Sequence, residues 1–168
     1  MIGKGKSISH GVAALEYDLA KEINGQAVAT EIARHELYGC TGAEMVQEMK
    51  PYHIDFPNVK NNCLRFEVSP SIEESATFTD ADWAELGNDF MQRMGLANHQ
   101  YIIIRHSGTE SKKEQAHLHI LANRVSLSGE LYRDNWIGKK ATEAANAIAK
   151  ERNFVQSQDI GKVNKAEI

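Results

Sequence analysis

Three histidines on two neighbouring segments are the residues best placed to do chemistry. They lie in YIIIRHSGTESKKEQAHLHILANRV, residues 101–125. The first segment, about Gln100–His106, is rich in β-branched and aromatic residues. The second, about Ala116–Val125, alternates apolar and polar residues. Both read as strands, joined by a polar glycine-containing loop over Ser107–Gln115. Period-2 alternation puts His117, His119, Leu121 and Asn123 on one face and Leu118, Ile120 and Ala122 on the other. Two imidazoles two residues apart on a strand face stand roughly 6.5–7 Å apart at Cβ, close enough to turn onto one ion. If the strands pair, His106 supplies a third nitrogen. Three imidazoles with positions left open describe a catalytic metal site better than a closed structural one. With seven His in 168 residues, chance alone gives roughly 0.3 H-x-H pairs. The weight therefore falls on His106 opposite the pair.

The segment QAHLHILANRV resembles the His-hydrophobe-His motif of the HUH endonucleases. With the upstream His106 and the following Asn-Arg-Val, it is similar to the relaxase, or mobilisation nuclease, branch. The resemblance runs from GKGKSISH to the helix after Trp136. It departs at one point: His106-Ser107-Gly108 and a lysine-rich loop stand where relatives often carry an acidic His-x-Asp link. The resemblance implies a sheet of about five strands with the histidine pair on a central one. It implies a divalent ion (Mg, Mn or Zn) held by His106, His117 and His119. It implies nicking of single-stranded DNA at an origin of transfer through a 5′-phosphotyrosine, alongside an accessory mobilisation protein. The attacking tyrosine of that branch lies near the N-terminus. Tyr17, in AALEYDLAKE, matches that placement best, and Tyr38, in HELYGC, is the runner-up. Replication initiators and transposases of the same superfamily usually place their tyrosine after the histidine pair. A metal- or DNA-binding module without nuclease activity is the third reading.

The elements that must position these residues follow from local patterns. Residues 1–9, MIGKGKSIS, read as a flexible basic arm whose Lys4 and Lys6 could touch a DNA backbone; a phosphate-loop reading fails for want of the earlier glycine and a preceding strand. With Ser9 as N-cap, a helix is expected over His10–Ile23, with Val12, Leu15, Leu19 and Ile23 near helical spacing. Gly25–Gln26 marks a turn and Ala27–Ala33 a short strand. Thr41 and Glu44 form a capping box for a helix stopped by Pro51. A surface loop over residues 52–62 contains His53 and Asp55. Cys63–Ser69 alternates as a strand, with Arg65 and Glu67 opposite Leu64, Phe66 and Val68. Beside the histidine strands, Glu67 could orient a ligand through its second ring nitrogen; on an outer face it would meet only solvent. Thr79 caps a helix over Asp80–Met94 whose stripe of Trp83, Leu86, Phe90 and Met94 is core, with Gly95 at C′. Leu131–Trp136 reads as extended. Lys139–Arg152 forms an alanine-rich helix whose Lys139 and Lys140 could contact phosphates, as could Asn123 and Arg124.

Interspersed strands and helices without regular alternation indicate an α+β fold: an antiparallel sheet with helices mainly on one face and the metal site on the other. The expected organisation is one domain over residues 1–154 and a polar tail over 155–168, consistent with the start of a longer chain. The net charge of −4 makes any DNA footprint a local patch. Two cysteines and the lack of a signal-like or membrane-spanning run fit the cytoplasm.

Overall fold

The computed structural model describes residues 1–107 and 115–156. The loop joining the two histidine strands and the tail beyond residue 156 lie outside the described residues. Five strands form one antiparallel sheet in the order β1-β5-β7-β6-β4. They are β1 (Ile2–Ile8), β4 (Ala29–His35), β5 (Cys63–Ser69), β6 (Tyr101–His106) and β7 (His117–Asn123). The short β2 (Glu22–Ile23) and β3 (Gln26–Ala27) form a separate hairpin. The turn between them uses Asn24 and Gly25, both at positive φ, as a two-residue hairpin requires.

Four longer helices cover the sheet: α1 (Gly11–Ala20), α2 (Gly42–Met49), α4 (Asp80–Arg93) and α5 (Ile137–Glu151). The single turn α3 (Ile72–Ser75) precedes α4. The larger core lies between the sheet and α4 and α5. It takes Leu64, Phe66 and Val68 from β5 and Leu118, Ile120 and Ala122 from β7. Trp83, Leu86 and Phe90 of α4 and Ala141, Ala145 and Ile148 of α5 close it. A smaller core on the opposite face joins Leu15 of α1 and Met45 and Met49 of α2 to Ile102, Ile104 and Leu121. That second face also carries the histidines, because His117 and His119 share the parity of Leu121.

Local signals explain most elements. Thr41 accepts a hydrogen bond from the Glu44 amide at the start of α2. Thr79 and Asp82 form a full capping box at α4, and Gly95 follows it at φ 79°. Two expectations are corrected. The basic arm is strand β1, paired along its length with β5, Lys4 opposite Glu67 and Lys6 opposite Arg65. Its glycines allow a helix to pack directly on the strand: a Cβ on Gly3 would stand 2.4 Å from the carbonyl oxygen of Ala141. The first helix begins after His10, not Ser9, and ends at Ala20. Ile23 falls in β2, and Val12 is exposed. The helix turns Gly11, Ala14, Leu15 and Asp18 inward.

Candidate metal centre and strand-cleavage site

The sheet register assembles the histidines. His106 pairs with His117, and His119 sits between Ile104 on one side and Glu67 on the other. One ligand nitrogen from each of His106, His117 and His119 lies within 4.8 Å of the other two. His106 and His117 are buried, and His119 retains only slight exposure.

Hydrogen bonds decide which nitrogens face inward. His106 Nε2 donates to the carbonyl oxygen of Asp18 at 2.7 Å. Its Nδ1 is then an unprotonated, buried acceptor, with no hydrogen-bond partner among the described residues. His117 Nδ1 donates to the carbonyl oxygen of Gln115 at 2.7 Å, which leaves Nε2 as the free lone pair. His119 Nδ1 faces the Asp18 carboxylate at 3.9 Å, an electrostatic approach too long for a hydrogen bond. His119 Nε2 stands 3.0 Å from His117 Nε2. With His117 Nε2 unprotonated, this contact is a hydrogen bond donated by His119 Nε2 in the metal-free protein; moving that proton to Nδ1, toward Asp18, would turn both Nε2 lone pairs onto a cation. Nitrogens bound to one ion at about 2.0–2.1 Å would be separated by about 3–3.4 Å. The orphaned Nδ1 of His106 and this close pair fit a divalent ion. His106 and His117 each donate outward to a backbone carbonyl, as metal-bound histidines ordinarily do, and His119 faces the Asp18 carboxylate.

Electrostatics support the same assignment. Burial, followed by the positive charges that protonated His106 and His117 would carry, lowers the His119 pKa to about 2. Burial also lowers that of His106. These two rings stay neutral at physiological pH and need no deprotonation before binding a cation.

Asp18 escaped the sequence reading. It is 1% exposed and receives Arg65 through both carboxylate oxygens, at 2.5 Å from Nη2 and 3.3 Å from Nε. It therefore touches two histidines, one through its carbonyl and one through its carboxylate. Its sequence signal was available: Asp18 follows Gly11, Ala14 and Leu15 at helical spacing on the buried face of α1. A carboxylate in that stripe requires a cationic or polar partner.

The remaining candidates divide clearly. Tyr17 precedes Asp18 on α1, one residue from the carbonyl that receives His106, and is 61% exposed. Tyr38 is exposed between β4 and α2; its hydroxyl donates to Glu36 at 3.1 Å, and that bond and the charge of Glu36 raise its pKa. Glu67 faces the cluster, its Oε1 4.0 Å from His117 Nε2, so it approaches without a direct hydrogen bond. Lys4, Lys6, Arg65, Glu67 and His119 line a groove of about 230 Å³. Asn123 turns inward instead. It is fully buried, accepts from His53 Nε2 and the Val125 amide, and donates to Met49 and Gln100. All four of its amide hydrogen-bonding positions are filled. Arg124 is tied to the carbonyls of Tyr132 and Asn61 and to Asp134. Lys139 and Lys140 belong to α5, across the sheet from the histidines. His53, expected on a surface loop, closes a short 3-10 turn (Lys50–His53) and is spent on Asn123.

Among the described residues, no helix is long and apolar enough to cross a membrane. No curated protein matches the chain, and no solved structure does. The family model described as "Relaxase: MobA/VirD2-like, nuclease domain" matches residues 17–154. That span begins at Tyr17 and contains all three histidines. The histidine centre thus lies within a nuclease domain of known type, and the chain belongs to the MobA/VirD2-like relaxase family of DNA-nicking nucleases.

Proposed function

We propose that this protein nicks one DNA strand at an origin of transfer and remains attached to it through Tyr17. The observation that supports this most directly is the bond from His106 Nε2 to the Asp18 carbonyl. It fastens the turn bearing Tyr17 to the histidine cluster. Tyr38 has no such link among the described residues, and its hydroxyl is engaged by Glu36, which raises its pKa.

His106 Nδ1, His117 Nε2 and His119 Nε2 would hold a divalent ion. When bound, it supplies positive charge to the non-bridging oxygens of the scissile phosphate. The chain's own residues do the rest. Asp18 and Gln115 keep the three rings oriented. Glu67 lies 4.0 Å from His117 Nε2, on the side of the ring that would face the ion, so it adds negative charge beside the centre, while the second ring nitrogen it was expected to hold is taken by the Gln115 carbonyl. The Tyr17 oxygen forms a bond to phosphorus as the bond from phosphorus to the 3′ oxygen breaks. The tyrosine proton passes to the solvent that Tyr17 meets, and the departing oxygen gains one to become a 3′-hydroxyl. The product is a 5′-phosphotyrosine ester. The step is readily reversed, because one phosphate ester replaces another.

Lys4 and Lys6 would contact backbone phosphates in the groove beside His119. Such contacts give binding a steep salt dependence despite the acidic chain. A tyrosine seated on a helix reaches a phosphate more easily in an unpaired strand, so opening the duplex falls to an accessory DNA-binding protein. The test is incubation with single-stranded origin oligonucleotides and Mn²⁺ or Mg²⁺, followed by denaturing electrophoresis. Wild type should form a covalent adduct. Tyr17→Phe should bind metal and DNA and form none. Normal adduct in Tyr17→Phe together with its loss in Tyr38→Phe would move the role to Tyr38; adduct in both would refute the tyrosine mechanism.

A further inference from the structure

Trp136 is the most exposed of the described large hydrophobic side chains, at 79%, whereas the other tryptophan, Trp83, is core at 2%. Its neighbours fix where it stands. Ser7 donates to Asp134 at 2.6 Å, and Thr142 donates to the carbonyl oxygen of Gly3 at 3.2 Å. Between these two ties, Gly138 lies against the carbonyl of Gly5. The start of α5 thus runs along β1, and Trp136 flanks the Gly5–Ser7 half of that strand.

β1 is an edge strand. On its histidine-facing side, Lys4 and Lys6 line the groove next to His119. On the other side, past the sheet edge, are Trp136 and Lys139. The Lys139 side chain is 73% exposed, and its ion-pair partner among the described residues is Glu143, at 4.0 Å. Such an exposed pair is worth little, so Lys139 can exchange it for another anion. Lys140 is held differently, with Nζ 5.6 Å above the Tyr132 ring. A shallow hollow of about 280 Å³ opens between Trp136, Lys139, Lys140 and Glu143.

An open indole beside a free ammonium is the combination that single-stranded nucleic acid uses: a base stacks on the ring and its phosphate meets the cation. The groove beside His119 and this hollow lie on either side of the edge strand β1, one lined by Lys4 and Lys6 and the other by Lys139 and Lys140. We propose that Trp136 and Lys139 form a second contact for the same DNA strand, reached where it leaves the groove over the edge of β1. This inference rests on the reading of the groove as a single-strand DNA site. Stacking is indifferent to base identity, so the contact would add affinity without adding sequence preference.

The experiment titrates the metal-free protein with a short oligothymidylate, following intrinsic tryptophan emission and, with a labelled strand, anisotropy. Binding should quench emission, and Trp136→Ala should abolish the quench and weaken affinity by roughly 5- to 100-fold. Trp136→Phe should recover part of the loss. Lys6→Ala, measured alongside, reports on the groove. Weakening by Lys6→Ala with none by Trp136→Ala would reject the second contact and leave the groove intact. No weakening by either would reject both. If Trp136→Ala instead abolishes self-association in sedimentation and leaves DNA binding unchanged, the surface serves a second copy of the chain and the proposal is wrong.

Discussion

Asp18→Asn separates orientation of the histidines from simple packing. The substitution keeps the shape of the side chain and the backbone carbonyl that receives His106. It removes the charge that faces His119 Nδ1 at 3.9 Å and Arg65 Nη2 at 2.5 Å. Two effects follow, and their magnitudes differ in origin. Removing one partner of a fully buried ion pair costs about 3–5 kcal/mol. Here Arg65 remains 22% exposed and can be partly hydrated, so a loss of about 2 kcal/mol in unfolding free energy is expected. The second effect concerns the metal. Loss of an outer partner of a metal-bound histidine typically weakens metal affinity by about 10- to 100-fold. Calorimetric titration with Mn²⁺ or Zn²⁺ reads the second effect, and urea denaturation of the metal-free protein reads the first. Arg65→Met is the necessary control, because it also breaks the pair but leaves the carboxylate beside His119. If Asp18→Asn loses stability while its metal affinity stays within twofold of wild type, Asp18 merely packs against the cluster and the orienting role is refuted.

Three further outcomes are expected. His119→Ala removes one of three ligands and should weaken binding of a divalent ion at least tenfold; unchanged affinity by calorimetry would sink the assignment of the triad. Gly3→Ala would drive a methyl to 2.4 Å from the Ala141 carbonyl oxygen, and overpacking of this kind costs about 1–3 kcal/mol; a higher midpoint in urea would disprove the close seating of α5 on β1. Burial lowers the pKa of His99, whose Nδ1 donates to the Asn123 carbonyl. The folded state therefore disfavours a proton that the unfolded state accepts below about pH 6.5. Stability from this group is complete above that pH and falls as the pH drops, by up to about 1.4 kcal/mol per unit. His99→Gln should flatten that slope between pH 5 and 6.5 in denaturation of the metal-free protein, and an identical slope would contradict it.

The central strands were legible because their residues are buried and alternate without interruption. The expected Cys63–Ser69 and Gln100–His106 match strands β5 and β6 closely, and β7 (His117–Asn123) lies inside the expected second segment. Strict parity fixed that His117 and His119 share a face, whereas His106 joined them only on the condition that the two strands pair, which the register meets. Caps at Thr41 and Thr79 were equally clear, since each is satisfied within its own turn. The edge strand was not legible. GKGKS lacks β-branched residues and reads as a flexible arm; it becomes a strand because β5 pairs with one edge of it and α5 needs glycine beneath its backbone. Asn123 looked like a surface donor by its parity. Only the tertiary structure brings His53, Met49 and Gln100 around it and consumes all its hydrogen bonds. Asp18 shows the limit most plainly. The helical pattern could mark it as inward-facing, but its partners, Arg65 and two histidines, lie 47 or more residues away in sequence. Periodicity is a property of neighbours along the chain, whereas the environment of a buried charge is set by the strands and helices that close over it.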